Sequence, residues 1–439
     1  MRVSQVSVKR LFGMFDHHIP LDRDKRITII HGPNGYGKTT ILRLLDALFN
    51  NRRAAIRNTP FELLVVVFDD ASRLSLSSHS DDNNPRIEFR LDSPGKKARQ
   101  FVEEQVDPRA LRFPLSIIEH EIPELERVGA QLWRNLRTRQ VLDLEDVFQQ
   151  YRDALPPFQR LRHAPGPPDW LKELLSSVPV RLIEAQRLLR IPEDVTYPEH
   201  RKRPSWSAAV EAYSEDLAGA IKTKLAESAA LSQSLDRTFP QRLVDTKAPD
   251  VLPEQELLAR IVNVERHRAR LINAGLLDPQ REPAFQVRGQ LSEHEMRVLS
   301  VWVRDVDEKL AIYDELAAKI DLLKDVINQH FLFKEMEIDK ERGFLFHTPD
   351  KSVIPPTSLS SGEQHELVLV YELLFKVSRD ALVLIDEPEL SLHVAWQMRF
   401  LDDLEAIIRL SPFDAMIATH SPQIINERWD LTVKLSDPT

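Results

Sequence analysis

HGPNGYGKTT, residues 31–40, follows the apolar stretch KRITII (25–30). It contains Gly32-x-x-x-x-Gly37-Lys38-Thr39, the full phosphate-loop pattern. Ile27, Ile29 and Ile30 read as a short buried strand. From Thr40 to Leu48 the apolar positions Ile41, Leu42, Leu44, Leu45 and Leu48 repeat with helical spacing. Strand, glycine loop and helix together point backbone N–H groups at a phosphate. A chance turn is the plain alternative, and it does not require this context. The reading expects ATP as ligand. Gly32, Pro33, Asn34, Gly35, Gly37 and Thr40 form the cradle, Lys38 lies on the β/γ-phosphates, and Thr39 offers a hydroxyl to Mg²⁺.

The chain has 439 residues, 42% hydrophobic and 29% charged, a globular composition with room for several domains. Without cysteine there is no disulfide and no thiolate-held metal. The net charge of −9 argues against a wholly basic nucleic-acid binder but allows a local basic face. No leader and no run of eighteen apolar residues is evident, so neither export nor direct membrane insertion is indicated, and the ATP-dependent reading points to the cytoplasm.

Residues 1–95 read as one half of a nucleotide-binding head. Val3, Val6, Val8 and Leu11 begin edge strands, PFELLVVVFDD (60–70) is an apolar strand, and RLSLS (73–77) and RIEFRL (86–91) alternate as an antiparallel meander. Residues 96–340 read as a mainly helical insertion, free for a partner or DNA. Its helical tracts are expected at 101–161, 205–240 and 252–275, and from about 291 past 327, where the apolar repeat is interrupted at Lys324. In the last tract, Leu299, Val303, Val306, Leu310, Tyr313, Ala317, Ile320 and Ile327 recur at three and four, as in a short coiled-coil arm or one face of a globular helical domain. VRLIEA (180–185) is a strand able to join the core sheet. FLFKEMEID (331–339) and GFLFH (343–347) read as a hairpin.

Residues 341–439 return to a nucleotide-binding pattern. ALVLIDEPE (381–389) is a buried strand ending in two carboxylates. Asp386 suits the metal shell and Glu387 the attacking water. LSSGEQ (359–364) opens a helix, with Ser360 and Gly362 small enough to approach phosphate, while Ser360 with Glu363 also fits a capping box. IATHSPQII (417–425) is a strand ending at His420, which could meet the γ-phosphate, although an isolated histidine is more often structural.

HGPNGYGKTT, LSSGEQ, VLIDEPE and ATHS, in this order, resemble the ABC-type ATPases of the Rad50, RecF and SMC branch. Ser361 stands where that family more often has glycine, and PELSLH (388–393) resembles its D-loop. The resemblance implies an α/β P-loop head with an antiparallel β subdomain. It also implies a homo-oligomer built from head-to-head ATP sandwiches. Lys38, Thr39, Asp386 and Glu387 of one head would then face Ser360, Gly362 and Glu363 of the other, with His420 as the switch histidine. Lys9 or Arg10 would lie near the nucleotide, and Gln100 and Gln105 are the candidates for the glutamine lid.

The insertion is longer than in transport subunits and shorter than in long-armed SMC proteins. With RLIEAQRLL (181–189), it resembles compact bacterial defence ATPases of the AriA, PtuA and overcoming-lysogenization-defect groups. Only nineteen residues follow His420, too few for a Toprim nuclease, so a separate nuclease or toxin is expected as effector. The alternative is a DNA-clamping repair ATPase, with KKAR (96–99), RKR (201–203) and RHRAR (266–270) as phosphate contacts.

Overall fold

The computed structural model describes residues 1–79, 86–104, 118, 122, 124–129, 132–135, 141–143, 147, 151, 167–184, 189–190, 207–279, 285, 287, 289–390 and 392–437. The chain divides into two compact units, Met1–Ala209 with Glu372–Thr439, and Val210–Tyr371.

The first unit begins with β1 (Val3–Leu11), β2 (Phe15–Pro20), β3 (Ile27–His31), α1 (Lys38–Phe49) and α2 (Arg53–Arg57). Next come β4 (Leu63–Phe68), β5 (Arg73–His79), β6 (Arg86–Asp92) and β7 (Arg99–Glu104). Six of these strands form an antiparallel sheet in the order β2-β1-β4-β5-β6-β7. Their alternation explains the pairing. Val6 and Val8, Leu64 and Val66, Leu74 and Leu76, and Ile87 and Phe89 all point into one core with Ile41, Leu45 and Leu48 of α1.

Among the described residues the helical expectation over 101–161 holds at Ile118 and Val147, whose carbonyls accept from the Ile122 and Tyr151 amides at 2.9 Å, and fails elsewhere. β7 occupies 99–104, and β8 (Leu125–Arg127), β9 (Leu132–Asn135) and β10 (Val141–Asp143) make a small antiparallel sheet. Trp133 is fully buried there among Ile118, Ile122, Leu125, Leu142 and Val147. Strands of three or four residues are too short to display a period, and a helical count can be satisfied by scattered apolar residues. The unit continues with α3 (Asp169–Ser176), β11 (Val180–Ile183) and a ribbon of β12 (Leu189–Arg190) with β13 (Ser207–Ala208).

The second unit carries the long helix α4 (Ala209–Asp245), then α5 (Glu254–Asn273), α6 (Glu293–Ala311) and α7 (Asp314–His330). α4 has 37 residues, about 55 Å of helix. Its first turns bury Tyr213, Leu217 and Ile221, and beyond them it is mostly solvated. Arg242 and Lys309 tie α4 to α6 through Asp305 and Asp236. His267 and Arg270 tie α5 to α7 through Asp314 and Asp321. These paired helices form an arm-like insertion. The tract is two helices that turn at Ile312–Tyr313, between α6 and α7, and the apolar repeat is interrupted at Lys324 as the sequence suggests. Leu323 continues the buried face, while Lys324 faces outward and donates to the Asn273 carbonyl.

β14 (Glu335–Asp339) and β15 (Gly343–His347) are the expected hairpin, extended by β16 (Val353–Ile354). The first strand starts only at Glu335, because Phe331–Lys334 form a turn with Phe333 in the left-handed region, φ 61°. α8 (Ser361–Tyr371) ends the unit.

The remainder of the first unit supplies β17 (Leu382–Asp386), α9 (Val394–Gln397), α10 (Phe400–Leu410), β18 (Asp414–Thr419), α11 (Pro422–Ile425) and β19 (Thr432–Lys434). These complete a five-stranded parallel sheet, β11-β17-β18-β3-β19. β17 and β18 are buried along their whole length, as strands covered on both faces must be. The strand VRLIEA thus joins the core sheet as β11, beside β17. The elements make an α/β fold with a parallel sheet, an antiparallel sheet and a large helical insertion. Among the described residues no helix is long and apolar enough to cross a membrane.

Candidate active site

The sheet register brings distant segments to one edge. Thr419 lies opposite His31, and Asp386 opposite Ala418. The loops leaving β3, β17 and β18 therefore emerge side by side at the carboxyl ends of the strands, where open α/β sheets bind ligands.

The loop after β3 turns on two left-handed glycines, Gly35 (φ 90°) and Gly37 (φ 84°). Gly37 caps α1, and Lys38 begins the helix. Lys38 is buried, with Nζ donating to the carbonyls of Gly32 (2.8 Å) and Pro33 (3.2 Å). Pro33, Asn34 and Gly35 are exposed at the loop tip, and Thr40 is half-buried. His17 Nε2 lies 2.9 Å from the Tyr36 carbonyl, and the Tyr36 hydroxyl bonds Asp437 (3.0 Å), which braces the loop from both sides.

Thr39 Oγ1 donates to Asp386 Oδ1 at 2.9 Å across 347 residues of chain. A hydrogen bond to a charged partner contributes about 1.5–3 kcal/mol. Asp386 is buried at the end of β17 and its pKa is raised. Burial is the main cause, Glu387 and Glu184 add repulsion, and the Thr39 bond and Arg43 oppose them. A hydroxyl and a carboxylate side by side form a hard-oxygen set, the kind Mg²⁺ prefers.

Glu387 sits in the left-handed region, φ 42°, with its N–H donating to the Ala418 carbonyl at 2.8 Å. A non-glycine residue there stores about 1–3 kcal/mol of strain, a pattern that recurs at functional sites. His420 Nδ1 lies 3.5 Å from Glu387 Oε1 and 3.2 Å from Glu389 Oε1. His31 precedes the loop, and its pKa is lowered by burial and by the charges of Lys434 and Lys38.

Ser360, Gly362 and Glu363 belong to the second unit. Glu363 accepts from the Ser360 amide and hydroxyl, both at 2.8 Å, and pairs with Lys334 at 2.6 Å. Burial works against its charge, but these donors outweigh it and the pKa is lowered. The capping-box geometry is therefore present, and it occupies the Glu363 carboxylate. Lys9 is exposed, and Arg10 pairs with Glu62 at 3.6 Å. Gln100 is exposed within β7, opposite Arg90, while Gln105 lies outside the described residues.

Two acidic residues escaped the sequence reading. Glu184 follows β11 and pairs with Arg43 of α1 at 3.2 Å, and only the β11–β17 pairing places it near Asp386. Glu389, the third acid of DEPE, is buried against His420. The acidic run was its only signal.

Residues 224–426 match the family described as "AAA domain, putative AbiEii toxin, Type IV TA system". No curated protein matches the chain. Among solved structures, the chain is similar to the Smc head domain of Pyrococcus furiosus bound to the C-terminal domain of ScpA. That match has 12% identity and a TM-score of 0.31, covering 97% of this chain and 91% of that one. It is similar also to the SMC head domain of Thermotoga maritima, with 11% identity, a TM-score of 0.31 and the same coverages. A third similarity is to an SMC head bound to the C-winged helix domain of ScpA, with 10% identity and a TM-score of 0.34, covering 100% and 94%. With the phosphate loop and the carboxylates Asp386 and Glu387 at one edge of a parallel sheet, the first unit has the α/β arrangement of a P-loop nucleotide-binding fold.

Proposed function

We propose that this protein hydrolyses ATP to ADP and phosphate, and that ATP joins two copies head to head. The observation that carries the reading is the 2.9 Å bond from Thr39 Oγ1 to Asp386 Oδ1. It supports Thr39 and Asp386 as the residues that would hold Mg²⁺, next to Lys38, which would neutralise phosphate charge. Bound there, Mg²⁺ would neutralise charge building on the phosphate oxygens. Lys38 would exchange its bonds to Gly32 and Pro33 for the β/γ-phosphates. Glu387 would take the proton of the attacking water, and His420 would hold the γ-phosphate. Ser360 and Gly362 would serve the nucleotide of the other copy, making each site composite and the assembly a closed dimer or a ring of dimers.

The reading we favour for this cycle is a clamp of the Rad50 and RecF kind, whose arm-like insertion closes on DNA. Lys96, Lys97 and Arg99 are exposed and suit phosphate contact. Arg268 and Arg270 are instead engaged with Glu265 and Asp321, so the 266–270 cluster contributes less free charge, and residues 201–203 lie outside the described residues. A second reading is a defence ATPase of the AriA, PtuA or overcoming-lysogenization-defect kind, holding a separate nuclease or toxin. It is favoured by the toxin named in the matched family's description.

Light scattering of Glu387→Gln with and without ATP tests the composite site. ATP-dependent dimers without turnover are expected. A monomer that hydrolyses ATP at full rate refutes the sandwich. DNA binding that falls steeply with salt supports the clamp, and ATP-dependent release of a co-purified toxin or nuclease without DNA affinity supports the second reading.

A further inference from the structure

Glu389 is a buried acid with three donors converging on a single oxygen. Its Oε1 accepts from Thr419 Oγ1 at 2.7 Å and from the His420 amide at 3.1 Å, and lies 3.2 Å from His420 Nδ1. The other oxygen, Oε2, is buried without a hydrogen-bond partner among the described residues. Burying a carboxylate is costly, and Thr419 and the backbone of a loop could be held more cheaply by a neutral group. The arrangement therefore calls for a role that uses the acceptor.

His420 supplies that role. Its side chain is 47% exposed, so little packing holds the ring in place. The same Nδ1 lies 3.5 Å from Glu387 Oε1. An imidazole free to turn could close on Glu387 and neutralise the carboxylate that must take the water's proton. We propose that Glu389 is a positioning residue for His420. It accepts the Nδ1–H, fixes the tautomer and ring orientation in the nucleotide-free protein, aims Nε2 so that it donates to the γ-phosphate once it has taken a proton from solvent as ATP binds, and spares Glu387. Histidine ligands elsewhere are oriented in the same way by a carboxylate behind the ring. The inference rests on the ATPase reading of this site.

The test compares wild type, Glu389→Gln and Glu389→Ala. The readouts are kcat and KM for ATP, and imidazole ¹⁵N spectra recorded without nucleotide, with the His420 signal assigned by its loss in His420→Gln. In wild type the His420 ring is expected to carry its proton on Nδ1. Glu389→Ala should lower kcat roughly ten- to a hundredfold, the range found for outer-shell partners of histidine, with KM within about twofold. It should also shift the ring toward a mixture of tautomers. Glu389→Gln keeps an acceptor oxygen and should fall between the two, in tautomer and in kcat. An unchanged tautomer in folded Glu389→Ala overturns the proposal, as does a rise in KM with kcat intact. If Glu389→Ala does not fold, a wild-type tautomer and kcat in Glu389→Gln overturn it equally. Absence of ATP turnover in wild type, or normal ATP binding by Lys38→Ala, would instead refute the underlying ATPase reading, which the nucleotide-free spectra do not depend on.

Discussion

Replacing Gly37 with Ala, beside the same change at Gly35, separates two physical costs in the phosphate loop. Both residues are left-handed, at φ 84° and 90°. A Cβ in that region costs roughly 1–2 kcal/mol. At Gly35 nothing lies within 4 Å of the added carbon, so Gly35→Ala should bear that cost alone. At Gly37 the carbon would lie 2.5 Å from Leu11 Cδ2 and 3.5 Å from Phe12 Cε2. Carbon contacts normally settle near 3.5–4.0 Å, so the Leu11 contact is about 1 Å too short. Leu11 is fully buried, and forcing such a side chain to move costs about 1–3 kcal/mol more. Gly37→Ala should therefore exceed Gly35→Ala by about 1–3 kcal/mol, roughly 2–6 °C in melting temperature for a unit of this size. Thermal unfolding followed by circular dichroism, with and without ATP, measures both variants. The stabilisation conferred by ATP should also shrink more in Gly37→Ala, since relief of the collision displaces the amides that face phosphate. Equal melting temperatures for the two variants would refute the packing argument, and with it the idea that β1 supports the loop through Leu11.

Two further outcomes follow from the same geometry. Lys38→Ala should weaken ATP binding by at least about tenfold, because a charge-assisted contact of about 1.5–3 kcal/mol is lost, and equilibrium binding of labelled ATP checks this. Asp386→Asn should abolish Mg²⁺-dependent turnover yet raise the melting temperature of the nucleotide-free protein by about 1–3 °C. The sign follows from the raised pKa. The folded state favours the protonated acid, so the associated stability is present below the ordinary aspartate pKa and is lost as pH rises through the folded value. A neutral amide keeps the acceptor for Thr39 and removes the repulsion from Glu387 and Glu184. A lowered melting temperature at neutral pH would contradict it.

The phosphate loop was legible in the sequence because its geometry is local. Six consecutive residues between a buried strand and a helix create the cradle through their own backbone, so Gly32 to Thr39 can be read without knowing what lies around them. The same holds for the strand before Asp386 and for the Ser360–Glu363 cap, whose partners are three residues apart. The antiparallel strands β4 to β6 were legible through their period of two. What depends on neighbours distant in the chain was not legible. The short strands β8 to β10 are held by burial around Trp133 instead of by a pattern of their own. Glu184 gains meaning only because β11 pairs with β17. Thr39 meets Asp386 across 347 residues, and Glu389 meets His420 across 31. Local backbone chemistry thus announced a candidate phosphate site. Which carboxylates face one another there was decided by parallel strand register, a property of the assembled sheet that no single segment carries.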